Sequence, residues 1–141
     1  MKLQITTDYA IRIIIYMAQQ GNQVSTARET AKQLGITYNY FNKVATKIRK
    51  AGFLGSVQGP EGGYCLSKDA ADITLYDIVE AMEGGICINR CLEDGDFCSR
   101  YGLNHQVCQV HKIFESLQNQ MIDTLKSVKI YDFTSEKIKL R

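Results

Sequence analysis

The chain has 141 residues, 45% hydrophobic and 23% charged, with a formal charge of +2. That composition suits one compact core with an extension and excludes a disordered or low-complexity chain, and no apolar run approaches the roughly 20 residues that cross a bilayer. The start, Met-Lys-Leu-Gln-Ile-Thr-Thr-Asp, lacks the apolar core and cleavage site of a signal peptide, so the expected location is the cytoplasm; the five cysteines then read as metal ligands, redox groups or small core residues before disulfide partners.

The modest total hides an uneven distribution. Residues 1–70 hold 9 Lys and Arg against 4 Asp and Glu, a balance of +5, whereas the remainder holds 8 against 11, or −3. A basic first half suits a polyanion, because each phosphate neutralised releases condensed counterions.

In chain order, Thr6 or Thr7 can cap a first helix whose Tyr9, Ala10, Ile13, Ile14, Met17 and Ala18 form one apolar stripe ending at Gly21. Thr26 and Glu29 have capping-box spacing before a second helix that buries Ala27, Thr30, Ala31 and Leu34 and stops at Gly35. Thr37 caps a third, with Phe41, Val44, Ala45 and Ile48 inward, leaving Tyr38, Asn39, Asn42, Lys43, Thr46, Lys47 and Lys50 on other faces. After Gly52, the apolar residues Phe53, Leu54 and Val57 lead into Gly59-Pro60-Glu61-Gly62-Gly63 and back through Tyr64, Cys65 and Leu66, a hairpin with an open tip. Two helices joined by a tight glycine turn, the second polar and basic outside and followed by a hairpin, predict a winged helix-turn-helix over residues 1–83. An all-structural three-helix bundle would share the apolar periodicity; the agreement of turn, wing and charge on one surface favours double-stranded DNA as partner. Thr37, Tyr38, Asn39, Asn42 and Lys43 are the candidates for base edges or nearby backbone, Lys47 and Lys50 for phosphates, and Gln58 and Gly59 for contact through the wing.

Thr74 and Asp77 predict a capping box for a fourth helix with Leu75, Ile78, Val79 and Met82 inward, ended by Gly84 and Gly85. Residues 84–103 show no periodicity and form a cysteine-rich loop. From Asn104 to about Val128 a long helix places Val107, Val110, Phe114, Leu117, Met121 and Val128 along a heptad seam, with Ile113, Ile122 and Leu125 beside it. One stripe can pack on its own domain while the other pairs with a second copy, which makes this a dimerisation helix and the protein a homodimer. The tail, 129–141, starts with Ile130, Tyr131 and Phe133 and then turns polar, and its end is expected to fray. The fold class is therefore mainly α with a small β wing.

Cys91, Cys98, Cys108 and His111 are separated by six, nine and two residues, the last pair one helical turn apart. Cys91 and Cys98 lie among charges, where a small core residue has little to pack against, so the three thiols and the imidazole read as a ligand set. Zinc remains open; the absence of a C-x-x-C knuckle leans toward an iron–sulfur cluster, which accepts wider spacings. An enzyme is disfavoured, because a thiol catalyst needs an activated cysteine beside a base and the chain has only two histidines. His105 reads as a helix-start polar residue.

The stretches Thr7-Asp8-Tyr9-Ala10, Ile48-Arg49-Lys50-Ala51-Gly52-Phe53, Gly59-Pro60-Glu61-Gly62-Gly63-Tyr64 and Ile73-Thr74-Leu75, followed by the three-cysteine region and long helix, together resemble the Rrf-type family of bacterial winged-helix transcription regulators over nearly the whole chain. That resemblance implies a homodimer crossed over by its long helices and a cluster whose state resets affinity for a partly palindromic operator. It matches Cys91, Cys98 and Cys108 to cluster cysteines and His111 to the histidine of an IscR-like [2Fe–2S] site, the favoured form; Asp8 matches the alternative fourth ligand, from a second subunit, of an NsrR-like [4Fe–4S] site. The chain departs from the family in its longer Cys98–Cys108 gap, in the extra thiol of Cys87, and in Gln58 where such wings commonly carry a basic residue. A cluster-free repressor that senses through a protein partner, like the family's cysteine-metabolism regulator, is the competing expectation.

Overall fold

The chain's fold, a computed structural model that describes residues 2–21, 23–93 and 98–135, has helices α1 (Ile5–Gln19), α2 (Ala27–Leu34), α3 (Tyr38–Lys50), α4 (Leu75–Glu83) and α5 (Gln109–Ser127), and strands β1 (Leu54–Val57) and β2 (Gly63–Leu66). Among the described residues, no helix is long and apolar enough to cross a membrane. The core forms where α1, α3 and α4 meet: Ile13, Ile14, Phe41, Ile48, Ile73 and Ile78 are fully buried. Those residues fall at helical spacing in their segments, so each helix turns one apolar stripe inward.

Several local signals act as the sequence predicts. Thr37 accepts from the Tyr40 N–H, and Thr74 and Asp77 form both halves of a capping box. Thr26 forms only half of its box. Its hydroxyl takes the Glu29 N–H, but the Glu29 carboxylate accepts from the Gln33 amide instead. Strand β1 pairs antiparallel with β2 from Leu54↔Leu66 to Val57↔Gly63, and Tyr64 also exchanges two backbone hydrogen bonds with Ser25, which ties the wing to the start of α2. That approach requires glycine at position 63, where a Cβ would stand 2.2 Å from the Ser25 carbonyl oxygen.

Two expectations change. Neither Thr6 nor Thr7 caps α1, which starts earlier, after Gln4, a residue with no side-chain cap of its own. Thr7 is buried inside the helix and donates to Glu83 Oε1 at 2.5 Å, while the Gln4 N–H and side-chain amide reach the same carboxylate at 2.9 and 3.3 Å. The C-terminal residue of α4 thus anchors the start of α1 through one backbone N–H, that of the N-cap Gln4, and two side chains. Second, the long helix does not run from Asn104. A short 3-10 turn, His105–Val107, precedes it, and Cys108, extended at ψ 124°, stands at its N-cap. The tail's first residues dock: Ile130 is fully buried, its N–H bonds the Ile73 carbonyl, and the Leu75 N–H bonds the Val128 carbonyl. The 3-10 turn Ile130–Thr134 then packs on α1, where the Gln19 amide meets the Phe133 carbonyl. Ile130 belongs to the core and Phe133 packs against it, whereas Tyr131 is exposed; residues 136–141, where the tail's end is expected to fray, lie outside the described residues.

Helix α5 packs on α4 and divides the heptad seam. Phe114, Met121, Ile122 and Leu125 are partly covered, whereas Val110, Ile113 and Leu117 stay 56%, 60% and 50% exposed.

Truncating Ile130 to Ala removes a fully buried side chain and should cost about 2–4 kcal/mol, read as a lower urea midpoint of the full chain. Hydrogen bonding from Thr7, then from Gln4, with the Lys47 charge behind it, holds the Glu83 carboxyl below the usual range against the opposing effect of partial burial. A carboxyl lowered on folding stabilises fully above its unfolded pKa and loses that contribution as pH falls through the lowered value. Glu83→Gln should therefore cost about 1 kcal/mol at neutral pH, with the two stability curves converging in acid.

Candidate DNA-binding face and cysteine site

The outer surface of α3 carries Tyr38, Asn39, Lys43, Thr46 and Lys50, all exposed, with Asn42 half-buried beside them. Their backbone is fixed by the buried side of the same helix, so the polar side chains project from a rigid rod. Against this face, the wing and the first turn of α2 enclose an open cleft of about 440 Å³ lined by Tyr38, Asn42, Ser56, Gln58 and Arg28, with no acidic residue in its wall. Gln58 thus joins the α3 candidates in one cleft, and Gly59 sits at the wing tip, its carbonyl accepting from the Gly62 N–H at 3.0 Å. Thr37 accepts the Tyr40 N–H through its hydroxyl oxygen, which leaves its O–H as a donor at the start of α3.

The cations divide in a way the sequence did not reveal. Lys47 turns to α4 and donates to the Met82 carbonyl at 2.9 Å, adjacent to the Glu83 node. Arg49 reaches Ser56 on β1 at 3.4 Å. Lys43 lies 5.7 Å from the Tyr40 ring centroid, and Arg28 lies 4.3 Å from that of Tyr38. Arg28 and Arg49 were not among the sequence candidates; the spacing of Arg28 from Thr26, two residues into a capped helix that leads the helix-turn-helix, was the available signal.

The cysteines form a second locality. Cys91 lies in the 3-10 turn Arg90–Leu92, which packs on α5, and its sulfur accepts from the Asn89 side-chain amide at 3.2 Å. Cys98 opens a tight turn closed by mutual backbone hydrogen bonds with Gly102. Cys108 occupies the N-cap of α5 and His111, buried at 6% exposure, lies in its first turn. Asp8, on α1, pairs with Arg12 at 2.7 Å. Cys91, Cys98 and Cys108 are free and half-buried, and three thiols with an imidazole are a donor set that fits soft metal chemistry. Yet among the described residues no three His, Cys, Asp or Glu side chains gather closely enough to hold a metal ion. Residues 94–97, between Cys91 and Cys98, and the His105 side chain lie outside the described residues.

The remaining thiols stand apart. Beside Cys87, the Ile88 N–H bonds Gln118 on α5; ten residues at 1.5 Å rise put that level about 15 Å along the helix from Cys108. Cys65 sits in β2 opposite Gly55.

The model of the Rrf2 family, described as an iron-dependent transcriptional regulator, matches residues 3–136. Protein aau3 of Rhizobium meliloti is 32% identical over 130 residues, covering 89% of this chain and 84% of its own. The transcriptional regulator IscR of Vibrio campbellii is 31% identical over 130 residues, covering 91% and 74%. Among solved structures, CymR, the global cysteine regulator of B. subtilis, superposes with a TM-score of 0.78 at 22% identity over 98% of this chain and 99% of its own, and T. potens IscR with 0.72 at 23% over 94% and 85%. At those identities the superpositions establish the shared fold alone. The family match and the geometry of helix, turn and wing agree: the chain belongs to the Rrf2 family of DNA-binding transcriptional regulators and is not an enzyme.

Proposed function

We propose that the chain is a cytoplasmic, homodimeric repressor whose affinity for an operator is set by an iron–sulfur cluster held on Cys91, Cys98 and Cys108. The observation that carries this reading is that Cys91, Cys98 and Cys108 are all free and half-buried, with Cys108 at the N-cap of α5 and Cys91 in a turn packed on that helix. His111 is the preferred fourth ligand, since it follows Cys108 by one turn on the same helix, whereas Asp8 is already held by Arg12; a [2Fe–2S] site follows from that choice. When bound, such a cluster supplies a centre that responds to oxidation, nitric oxide and iron–sulfur supply.

The chain's own residues carry the rest. Cys108 opens α5 and Cys91 lies in the turn against α5, so a change in their separation acts on the α4–α5 packing. At the end of α4, the Met82 carbonyl holds Lys47 of the recognition helix and Glu83 holds α1. The exposed stripe Val110, Ile113 and Leu117 recurs at spacings of three and four and suits pairing with a second copy. Two recognition helices then address two half-sites, Tyr38, Asn39, Asn42 and Lys43 toward base edges and Lys50, Gln58 and Gly59 toward backbone.

A second reading, a cluster-free regulator responding to a protein partner, draws on the absence, among the described residues, of any gathered set of three metal-binding side chains; a repressor stabilised by zinc on the same thiols is a variant of the first reading. Anaerobic purification with iron, sulfide and zinc analysis separates the three. The cluster reading expects about two iron and two sulfide per chain, colour lost in Cys91→Ala, Cys98→Ala and Cys108→Ala, and a change in operator affinity of about 5- to 150-fold between loaded and stripped protein. Zinc without sulfide supports the stabilised repressor. Metal-free wild type with unchanged affinity in all three variants supports the partner reading.

A further inference from the structure

Arg28 is the second residue of α2, and its guanidinium carbon lies 4.3 Å from the centre of the Tyr38 ring, close enough for the two planes to associate. Tyr38 is the first residue of α3 and is 40% exposed. The pair therefore bridges the two helices of the helix-turn-helix at the side where both begin. Among the described residues the guanidinium has neither a carboxylate partner nor a hydrogen-bond acceptor, unlike Arg12, paired with Asp8, and Arg49, directed at Ser56. The ring covers one side of the group, which leaves N–H donors to meet an acceptor from elsewhere. Arg28 borders the cleft between α2, α3 and the wing, whose wall contains Asn42, Ser56 and Gln58 and no acidic group.

A planar, permanently charged fork without a partner suits an acceptor with two oxygens at fixed separation, as on a phosphodiester. The position selects between the two kinds of acceptor on a duplex. In a helix-turn-helix the first helix crosses the sugar–phosphate backbone while the second enters the groove, and Arg28 belongs to the first. We propose that Arg28, held on Tyr38, grips a backbone phosphate beside each half-site and so sets the angle at which α3 meets the groove. Tyr38 then has two duties, as a ring that orients Arg28 and as a neighbour of the base edges. This assignment rests on the DNA-binding reading above but is independent of any cluster.

The test uses the full-length chain and two duplexes: one enriched by the wild-type protein from a random-sequence library, and a scrambled duplex of equal length. Fluorescence anisotropy across a salt series gives affinity and salt slope for each. Arg28→Ala should weaken binding to both duplexes by a similar factor, about tenfold, and reduce the slope by about 1 per protomer bound. Arg28→Lys, which keeps the charge but not the fork, should retain the slope while losing part of the affinity. In a Tyr38→Ala background, Arg28→Ala should cost less than in wild type, because the platform is already gone. Circular dichroism checks that each variant remains folded. A loss confined to the enriched duplex would make Arg28 a base reader and overturn the proposal, as would unchanged binding to both or strictly additive effects of the two alanine substitutions. Wild-type protein that enriches no sequence and binds neither duplex overturns the DNA-binding reading itself, and this inference with it.

Discussion

Two helix ends meet at one junction. The start of α1 has no side-chain cap, and at the C-terminus of α4 the Gly84 N–H bonds the Glu80 carbonyl, which leaves the Met82 carbonyl to another donor. The Glu83 carboxylate receives Gln4 and Thr7, and the Met82 carbonyl receives Lys47. A carboxylate in the last turn of a helix opposes the dipole of that helix, so Glu83 is poorly placed for α4 taken alone. It is well placed beside the positive end of α1 with the Lys47 ammonium nearby. Helices α1, α3 and α4 are thereby joined by polar contacts at the rim of a core they already share, and the cysteine-bearing segment begins immediately beyond that junction, at Gly84.

The rest of the reading head is fixed just as closely. The wing cannot swing freely, because Tyr64 pairs with Ser25 across a gap that admits glycine alone at position 63, and Arg49 joins α3 to β1. By contrast, the polar contacts in the described parts of the cysteine segment are mostly local, among them Asn89 to Cys91, the Leu92 and Glu93 N–H groups to carbonyls three residues earlier, and the Cys98–Gly102 turn, with the Ile88 N–H reaching Gln118 on α5.

What could be read from the sequence, and what could not, follows the range of the interactions. Thr37 and Thr74 cap the helices they precede, and the apolar stripe of α3 is buried as its periodicity requires, because these effects act within one or two turns of chain. The start of α1 was misjudged because its acceptor, Glu83, is 79 residues away from Gln4. Lys47 looked like a phosphate contact for the same reason: nothing in its own helix announces the Met82 carbonyl. In the tail, Ile130, Tyr131 and Phe133 are legible as an apolar opening, but which of them enters the core is not: Ile130 is fully buried while Tyr131 is exposed. The ligand candidates were legible as residue types at suggestive spacings. Their arrangement in space was not, since it depends on the path of a loop with no periodicity.

Assigning the cations changes the electrostatic picture of the recognition surface. The first 70 residues are basic overall, but not every positive charge faces the same way. Lys47 is drawn to α4, Arg12 to Asp8 and Arg49 to β1, and the wing offers Gln58 in place of a cation. What remains around the cleft is a short array, Arg28 on one side with Lys43 and Lys50 along α3, enclosing the hydrogen-bonding groups of Asn39, Asn42 and Tyr38. Such a surface gains less from counterion release than the raw charge suggests and depends more on how its donors and acceptors are oriented. Orientation is what the α4 junction supplies, so a small displacement there matters more for this chain than it would for a protein attached to DNA mainly by charge.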